Sequence, residues 1–306
     1  MNRNIVLVFG ERELNNTSCL FHFCISKTKA MQRIPTSIYD FLQQPYQLST
    51  EQIDFYNQNR YIKLKQVLSA EAVAYFSDVI SQKVNEMNKE SISLEQRNTY
   101  GKAFLQLFNL WLEDEQIKQL IFSKRLAKIA ADLMQANGAR LYHDQALYKE
   151  PGGGITPWHA DQYYWPLETD KTITAWMPLQ ATPLDMGPLE FSAGSHKIVE
   201  GRELEIGDES EVAIQQKLKV TDFKHVVEPF DLGEISFHSG WVFHRAGANK
   251  TEQMRKVMTI IYMDKDMPLK QPENENQVND WNAWCPGAKV GEVIETPINP
   301  LLFSYS

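Results

Sequence analysis

The sequence predicts a mainly β protein with flanking helices, in which a helical N-terminal portion leads into a β-sandwich or barrel. Two textures predict it. Before Gly138, apolar residues recur at helical spacing. After Gly138 they fall into short alternating or apolar runs separated by turn clusters.

The first helix with a clear start runs from Ser69 to Lys89. Ser69 is a side-chain cap, Glu71 lies in the first turn, and Val73, Phe76, Val79, Ile80 and Val84 line one face. A second helix is expected over Glu113 to Ala136, where Ile117, Leu120, Ile121, Leu126, Ile129, Ala130 and Leu133 keep the period until Asn137-Gly138 stops it. Strands follow at Ala139 to Tyr142, Ile173 to Leu179 and Val257 to Tyr262. The turns between them include Pro151-Gly152-Gly153-Gly154, Met186-Gly187-Pro188 and Ala193-Gly194-Ser195.

The expected organisation is a poorly patterned extension over residues 1–30, with Met31 as the natural start, followed by one domain over 31–306. Within that domain, about 50–137 is helical support, about 139–265 the β core and about 266–306 a C-terminal wrap. Pro272 to Asn282 reads as a polar, Asn-rich loop. Trp284 to Pro300, rich in Pro and Gly, reads as irregular coil.

Hydrophobic residues at 43% and charged residues at 23% are ordinary for a globular protein. A formal net charge of −8 with no basic stripe argues against nucleic acid and for a small-molecule partner. No apolar run reaches the length of a membrane span. Three cysteines, Cys19, Cys24 and Cys285, make no disulfide framework, so a cytoplasmic protein is expected. Oligomeric state is not legible.

The chemistry centres on Pro157-Trp158-His159-Ala160-Asp161-Gln162. On a strand, residues two apart share a face, so His159 and Asp161 can reach one metal ion. Alone the pair is weak, because a chain with seven histidines and 39 acids contains such a pair easily by chance. Downstream stand His244 and then Arg255, which opens a strand. Two histidines and one carboxylate leave three positions open on Fe(II). The keto-acid end of 2-oxoglutarate fills two of them and leaves one for O2. The far carboxylate of 2-oxoglutarate needs a planar, bidentate donor, which an arginine supplies.

With these residues the sequence resembles the phytanoyl-CoA dioxygenase superfamily of Fe(II)/2-oxoglutarate-dependent oxygenases, from about Phe55 to Leu302. The resemblance rests on Trp158 to Asp161, Trp176-Met177-Pro178-Leu179, Met186 to Phe191 with Gly194-Ser195-His196-Lys197, and His244 with Arg255 after it. It implies a double-stranded β-helix core (jelly roll, cupin-like) and a dioxygenase in which His159, Asp161 and His244 hold the metal. It further implies that Arg255 anchors 2-oxoglutarate beside Trp176. The sequence departs from the family's His-Gly-Ser-Gly-x-Asn at Arg245-Ala246, which removes a serine contact to 2-oxoglutarate. Gln106, expected on a helical segment from Ala103 to Trp111, and Gln145 or Tyr148, on the strand before the glycine turn, are candidates to replace it. Related halogenases replace the carboxylate with Ala or Gly, so Asp161 favours hydroxylation of a C–H bond, with release of succinate and CO2.

Other residues have plainer readings. His143, His196 and His238 read as hydrogen-bonded structural histidines, although His238 is close enough to His244 in sequence to compete for its role. Arg245 either meets an acidic substrate group or pairs with a surface acid. Trp158 and Trp241 read as core, and at least one of Tyr163, Tyr164 and Trp165 is expected at the substrate mouth. A non-catalytic β-sandwich that binds a small molecule or metal is the alternative. A zinc hydrolase is a further rival, but its chemistry gives Arg255 nothing to do.

Overall fold

Ser49 opens a helix by a reciprocal cap: its hydroxyl accepts from the Gln52 amide while the Gln52 side chain accepts from its own. This computed structural model describes residues 33–89 and 92–305, so the extension over residues 1–30 and the start at Met31 lie outside the described residues. The N-terminal helices are α1 (Thr36–Gln43), α2 (Thr50–Asn59), α3 (Ala70–Met87), α4 (Thr99–Ala103), α5 (Glu115–Ile121) and α6 (Lys124–Met134). α3 starts from the Ser69 cap as its spacing predicts.

The helix expected over Glu113 to Ala136 is instead the pair α5 and α6. Ser123 breaks it: its hydroxyl accepts from the Leu126 amide and donates to the Leu42 carbonyl, so the side chain caps a new helix instead of continuing the old one. α6 ends at Gln135, in the left-handed region, before Asn137-Gly138. Gly138 serves the sheet. A Cβ there would lie 2.4 Å from the Phe303 carbonyl oxygen.

The N-terminal third is not wholly helical either, since β1 (Tyr61–Leu64) and β2 (Leu105–Phe108) join the larger sheet. The remaining strands are β3 (Gly138–Lys149), β4 (Thr156–His159), β5 (Thr172–Pro178), β6 (Leu189–Ser192), β7 (His225–Val227), β8 (Ile235–Ser239), β9 (His244–Ala246), β10 (Arg255–Asp264) and β11 (Leu301–Ser304). One sheet runs β1-β8-β5-β10-β3-β11, with β2 also on β3, and the other runs β4-β9-β6-β7. All named pairings are antiparallel. The two sheets form the double-stranded β-helix, a jelly roll. Trp176, Leu147 and Val257 of the first meet Leu189, Phe191 and Ala246 of the second in one apolar cluster.

The first sheet is buried on both faces. Its outer residues, among them Ala175, Met177, Met258, Ile260 and Tyr262, pack under the helices. The residues 208–219 and 275–284 form α7 (Asp208–Lys219) and α8 (Glu275–Trp284). α8 corrects the loop expected over Pro272 to Asn282. Asn274 caps it and Gln277 ties it to the Tyr163 carbonyl. No helix among the described residues is long and apolar enough to cross a membrane.

Asp144 carries a testable consequence of this double burial. One carboxylate oxygen accepts from the Leu110 amide, the other has no hydrogen-bond partner, and burial pushes the group up to about 7. The folded state therefore holds the proton more tightly than the unfolded chain. This contribution to stability is fully present below about pH 4 and is lost as pH rises to about 7. Asp144→Asn should remove that loss, which is on the order of 3 kcal/mol. Urea unfolding at pH 5 and pH 8 would measure it; an equal mutational effect at both pH values would refute the assignment.

Candidate metal centre

β4 and β9 are neighbours in the second sheet, and their register places His159 directly opposite His244. Each ring is oriented by its own backbone: His159 Nδ1 lies 2.7 Å from the Pro157 carbonyl and His244 Nδ1 lies 3.1 Å from that of Val242. Donation from Nδ1 leaves the Nε2 lone pairs free to face a metal.

Asp161 arrives differently from the expectation. β4 ends at His159, and Asp161 opens a short 3-10 turn over residues 161–164. Gln162 pins that turn by its amide to the Gly240 carbonyl, by its side-chain amide to the Thr169 carbonyl, and by accepting from the Thr172 hydroxyl. The result still converges. Asp161 Oδ1 is 3.5 Å from His159 Nε2 and 3.7 Å from His244 Nε2, and all three residues place a ligand atom within 4.8 Å of one another.

Electrostatics favour the forms a metal needs. Burial pushes the Asp161 carboxyl up, but the surrounding imidazoles of His244, His159 and His238 outweigh it and hold the group well below the usual carboxylate range. Burial, reinforced by His159, holds His244 well below the usual imidazole range. An ionised carboxylate and an uncharged imidazole are the states that bind metal.

Arg255 opens β10, and its inner face continues through Val257 and Thr259. The side chain is 1% exposed. One nitrogen donates to the Gly187 carbonyl (2.6 Å), Nε has no hydrogen-bond partner, and burial lowers the group to about 9. Gly187, at φ +72°, lets this loop lie against Gly247, where a Cβ would approach within 2.3 Å of a carbonyl oxygen. Trp176 lies 5.5 Å from the Arg255 guanidinium and two residues from Thr174 on the same inner row, between the cation and the His/Asp/His cluster.

Lys149, the register partner of Arg255, was not anticipated from sequence. It is fully buried, donates to the Gly154 and Gly247 carbonyls and reaches the Thr156 hydroxyl, and burial with the charge of Arg255 lowers it to about 6. A buried guanidinium and, beside it, a buried amine face the interior. A dicarboxylate fits that demand for negative charge.

The candidates for the second polar contact divide. Gln106 stands on β2, not on a helix, and donates to Gln145 (2.6 Å) while accepting from the Tyr100 hydroxyl. Gln145 lies opposite Thr259 on the inner face. Tyr148 is corrected: it faces the helical layer, its hydroxyl 3.0 Å from that of Ser81, because strand alternation turns it away from Gln145 and Leu147.

Arg245 pairs with Glu211 of α7 (2.5 Å) and lies 3.7 Å from Glu190; its partners are acids of the protein, as one of the two readings expects, but they are largely buried and not on the surface. The other Glu211 oxygen accepts from the Trp158 amide. Trp158 is buried and Trp241 half-buried in the same cluster. Tyr163 and Tyr164 are half-buried and held by Asn276 and the Ile206 amide, whereas Trp165 is core.

Each of the three histidines expected to be hydrogen-bonded has a ring nitrogen without a partner, and His238 has two. His238 is 1% exposed with neither ring nitrogen bonded, and its Nε2 lies 3.4 Å from Asp161 Oδ2. His143 has an unpartnered Nδ1, packs on Phe108 and Trp284, and is lowered to about 4 by burial. Nδ1 of His196 is likewise without a partner. A buried residue with nothing to bond is the signal that separates His238 from an ordinary core histidine, and sequence does not carry it.

The phytanoyl-CoA dioxygenase family model matches residues 56–257, about two thirds of the chain. A probable alpha-ketoglutarate-dependent hypophosphite dioxygenase of Stutzerimonas stutzeri is 24% identical over 228 residues, covering 71% of this chain and 79% of that protein. A methylphosphonate hydroxylase of Gimesia maris is 26% identical over 226 residues, covering 70% and 80%. The crystal structure of the non-heme alpha ketoglutarate dependent carbocyclase SnoK from nogalamycin biosynthesis has a TM-score of 0.68 at 23% identity, covering 84% of this chain and 99% of that one. That likeness bears on the fold, and the family match bears on the chemistry. The chain belongs to the phytanoyl-CoA dioxygenase family and is a 2-oxoglutarate-dependent dioxygenase.

Proposed function

We propose that His159, Asp161 and His244 hold Fe(II), and that Arg255 binds the far carboxylate of 2-oxoglutarate with Trp176 against the co-substrate. In this reading Gln106 and Gln145 supply the second polar contact that Arg245-Ala246 does not. The observation that carries it is Arg255, a buried guanidinium with an unpartnered Nε on the inner face that also carries Trp176. Among the described residues no carboxylate pairs with it, and an incoming one completes it.

Iron bound here would supply oxidative decarboxylation of 2-oxoglutarate coupled to hydroxylation: substrate C–H, O2 and 2-oxoglutarate give alcohol, succinate and CO2. The chain's own part is to orient and enclose. The backbone carbonyls of Pro157 and Val242 fix the imidazoles, Arg255 fixes the co-substrate's direction, and the aromatic walls exclude water.

The substrate is a small molecule. The two curated relatives are named for hypophosphite and for methylphosphonate, so a substrate panel starts with small phosphorus oxyanions beside amino-acid-like and acyl compounds. The deciding experiment is anaerobic addition of Fe(II) and 2-oxoglutarate, read as a visible charge-transfer band, followed by succinate release on admission of O2. A band and succinate are expected. Neither appearing, with metal bound, would favour the non-catalytic binding protein.

A further inference from the structure

We propose that His238 is a positioning residue for the metal centre: together with Thr174 it clamps the far oxygen of Asp161, so that this carboxylate binds metal through one oxygen only. The inference rests on the reading that His159, Asp161 and His244 are the ligands.

The two oxygens of Asp161 have separate surroundings. Oδ1 faces His159 Nε2 (3.5 Å) and His244 Nε2 (3.7 Å). Oδ2 accepts from the Thr174 hydroxyl (3.2 Å) and lies 3.4 Å from His238 Nε2. Thr174 and His238 are register partners on β5 and β8, so both arms of the clamp are mounted on paired strands of the first sheet, while His159 and His244 come from the second and Asp161 from the turn that follows β4. The His238 ring is fixed by packing on His244 (4.4 Å between centroids) and Phe191 (5.5 Å). No hydrogen bond claims either nitrogen. With its hydrogen on Nε2, the ring faces Oδ2 at 3.4 Å, and a small rotation of the carboxylate would let it donate. His238 is not in the group of residues whose ligand atoms lie within 4.8 Å of one another, which speaks against its being a fourth ligand.

Coordination counting gives the clamp its purpose. A six-coordinate metal with two histidines and a one-oxygen carboxylate keeps three positions open. A carboxylate that closes with both oxygens leaves two, and a bidentate keto acid fills both. Holding Oδ2 away keeps the sixth position available to a gas molecule.

The test uses the full chain with Fe(II) and 2-oxoglutarate under anaerobic conditions, with nitric oxide as the probe of the sixth position, read by electron paramagnetic resonance. His238→Leu should still bind stoichiometric Fe(II) and give the charge-transfer band, shifted in wavelength, while its nitric oxide affinity falls roughly tenfold or more. His238→Gln, which keeps a donor, should recover most of that loss. Thr174→Val, close in shape, should show the same defect in milder form, and it decides the matter should His238→Leu not fold. Nitric oxide binding by His238→Leu or Thr174→Val equal to the wild type overturns the clamp, and so does loss of Fe(II) from His238→Leu, which would make His238 a ligand. Absence of the band in the wild type instead overturns the ligand assignment beneath it.

Discussion

Replacing Arg255 with leucine should raise the 2-oxoglutarate concentration required for half-maximal turnover by about 30-fold or more, without lowering the stability of the protein free of co-substrate. The first effect follows from removing one member of a buried, charge-assisted pair, which costs about 2–5 kcal/mol at about 1.4 kcal/mol per tenfold. The second follows from burial. Arg255 is fully enclosed, one nitrogen is unpartnered, and its register partner Lys149 is a buried amine that offers it no counter-charge. Leucine relieves that desolvation and loses one hydrogen bond to Gly187. Thermal unfolding with and without 2-oxoglutarate separates the two: the wild type should gain stability on addition and the variant should not. An unchanged 2-oxoglutarate dependence would remove Arg255 from the site.

Asp161→Ala should abolish stoichiometric Fe(II) binding at micromolar metal and lower substrate-stimulated succinate formation by about 1000-fold or more. Asp161 is the only acid of the three-residue cluster, and its carboxylate stands in contact with three imidazoles. Without it the remaining histidines keep their geometry but lack the negative charge that offsets a dication, and a water or halide must take the vacant position. Metal analysis of the desalted variant is the measurement. Full metal content in Asp161→Ala would exclude the carboxylate as a ligand.

Part of the candidate site was legible because His159, His244 and Arg255 lie on regular strands whose ends are punctuated. His159 follows a glycine turn, and Arg255 opens a long apolar strand. What failed has physical reasons. β3 is buried on nearly its whole length and both faces, so its sequence carries no alternation from which to read that Tyr148 turns outward while Gln145 turns inward. β1 has four residues, one of them a lysine, and owes its existence to pairing with β8 far along the chain. α8 contains Asn276, Asn279 and Asn282, poor helix formers that docking and a side-chain cap override. His238 looks like any core histidine until the register of β8 on β5 brings it beside Asp161.

The pairing of His159 with His244 across β4 and β9 has a kinetic corollary. Only His159 and Asp161 are close in sequence, and the third member of the cluster joins them when two distant strands zip together in the sheet that must itself close over the other. Such non-local pairing is slow to form, since chain entropy is lost before any contact rewards it. A refolding chain therefore carries at most two of the three proposed ligands until the jelly roll is closed, and stoichiometric metal uptake during refolding should coincide with the last phase of the reaction, making the ion a reporter on completed topology instead of a seed for it.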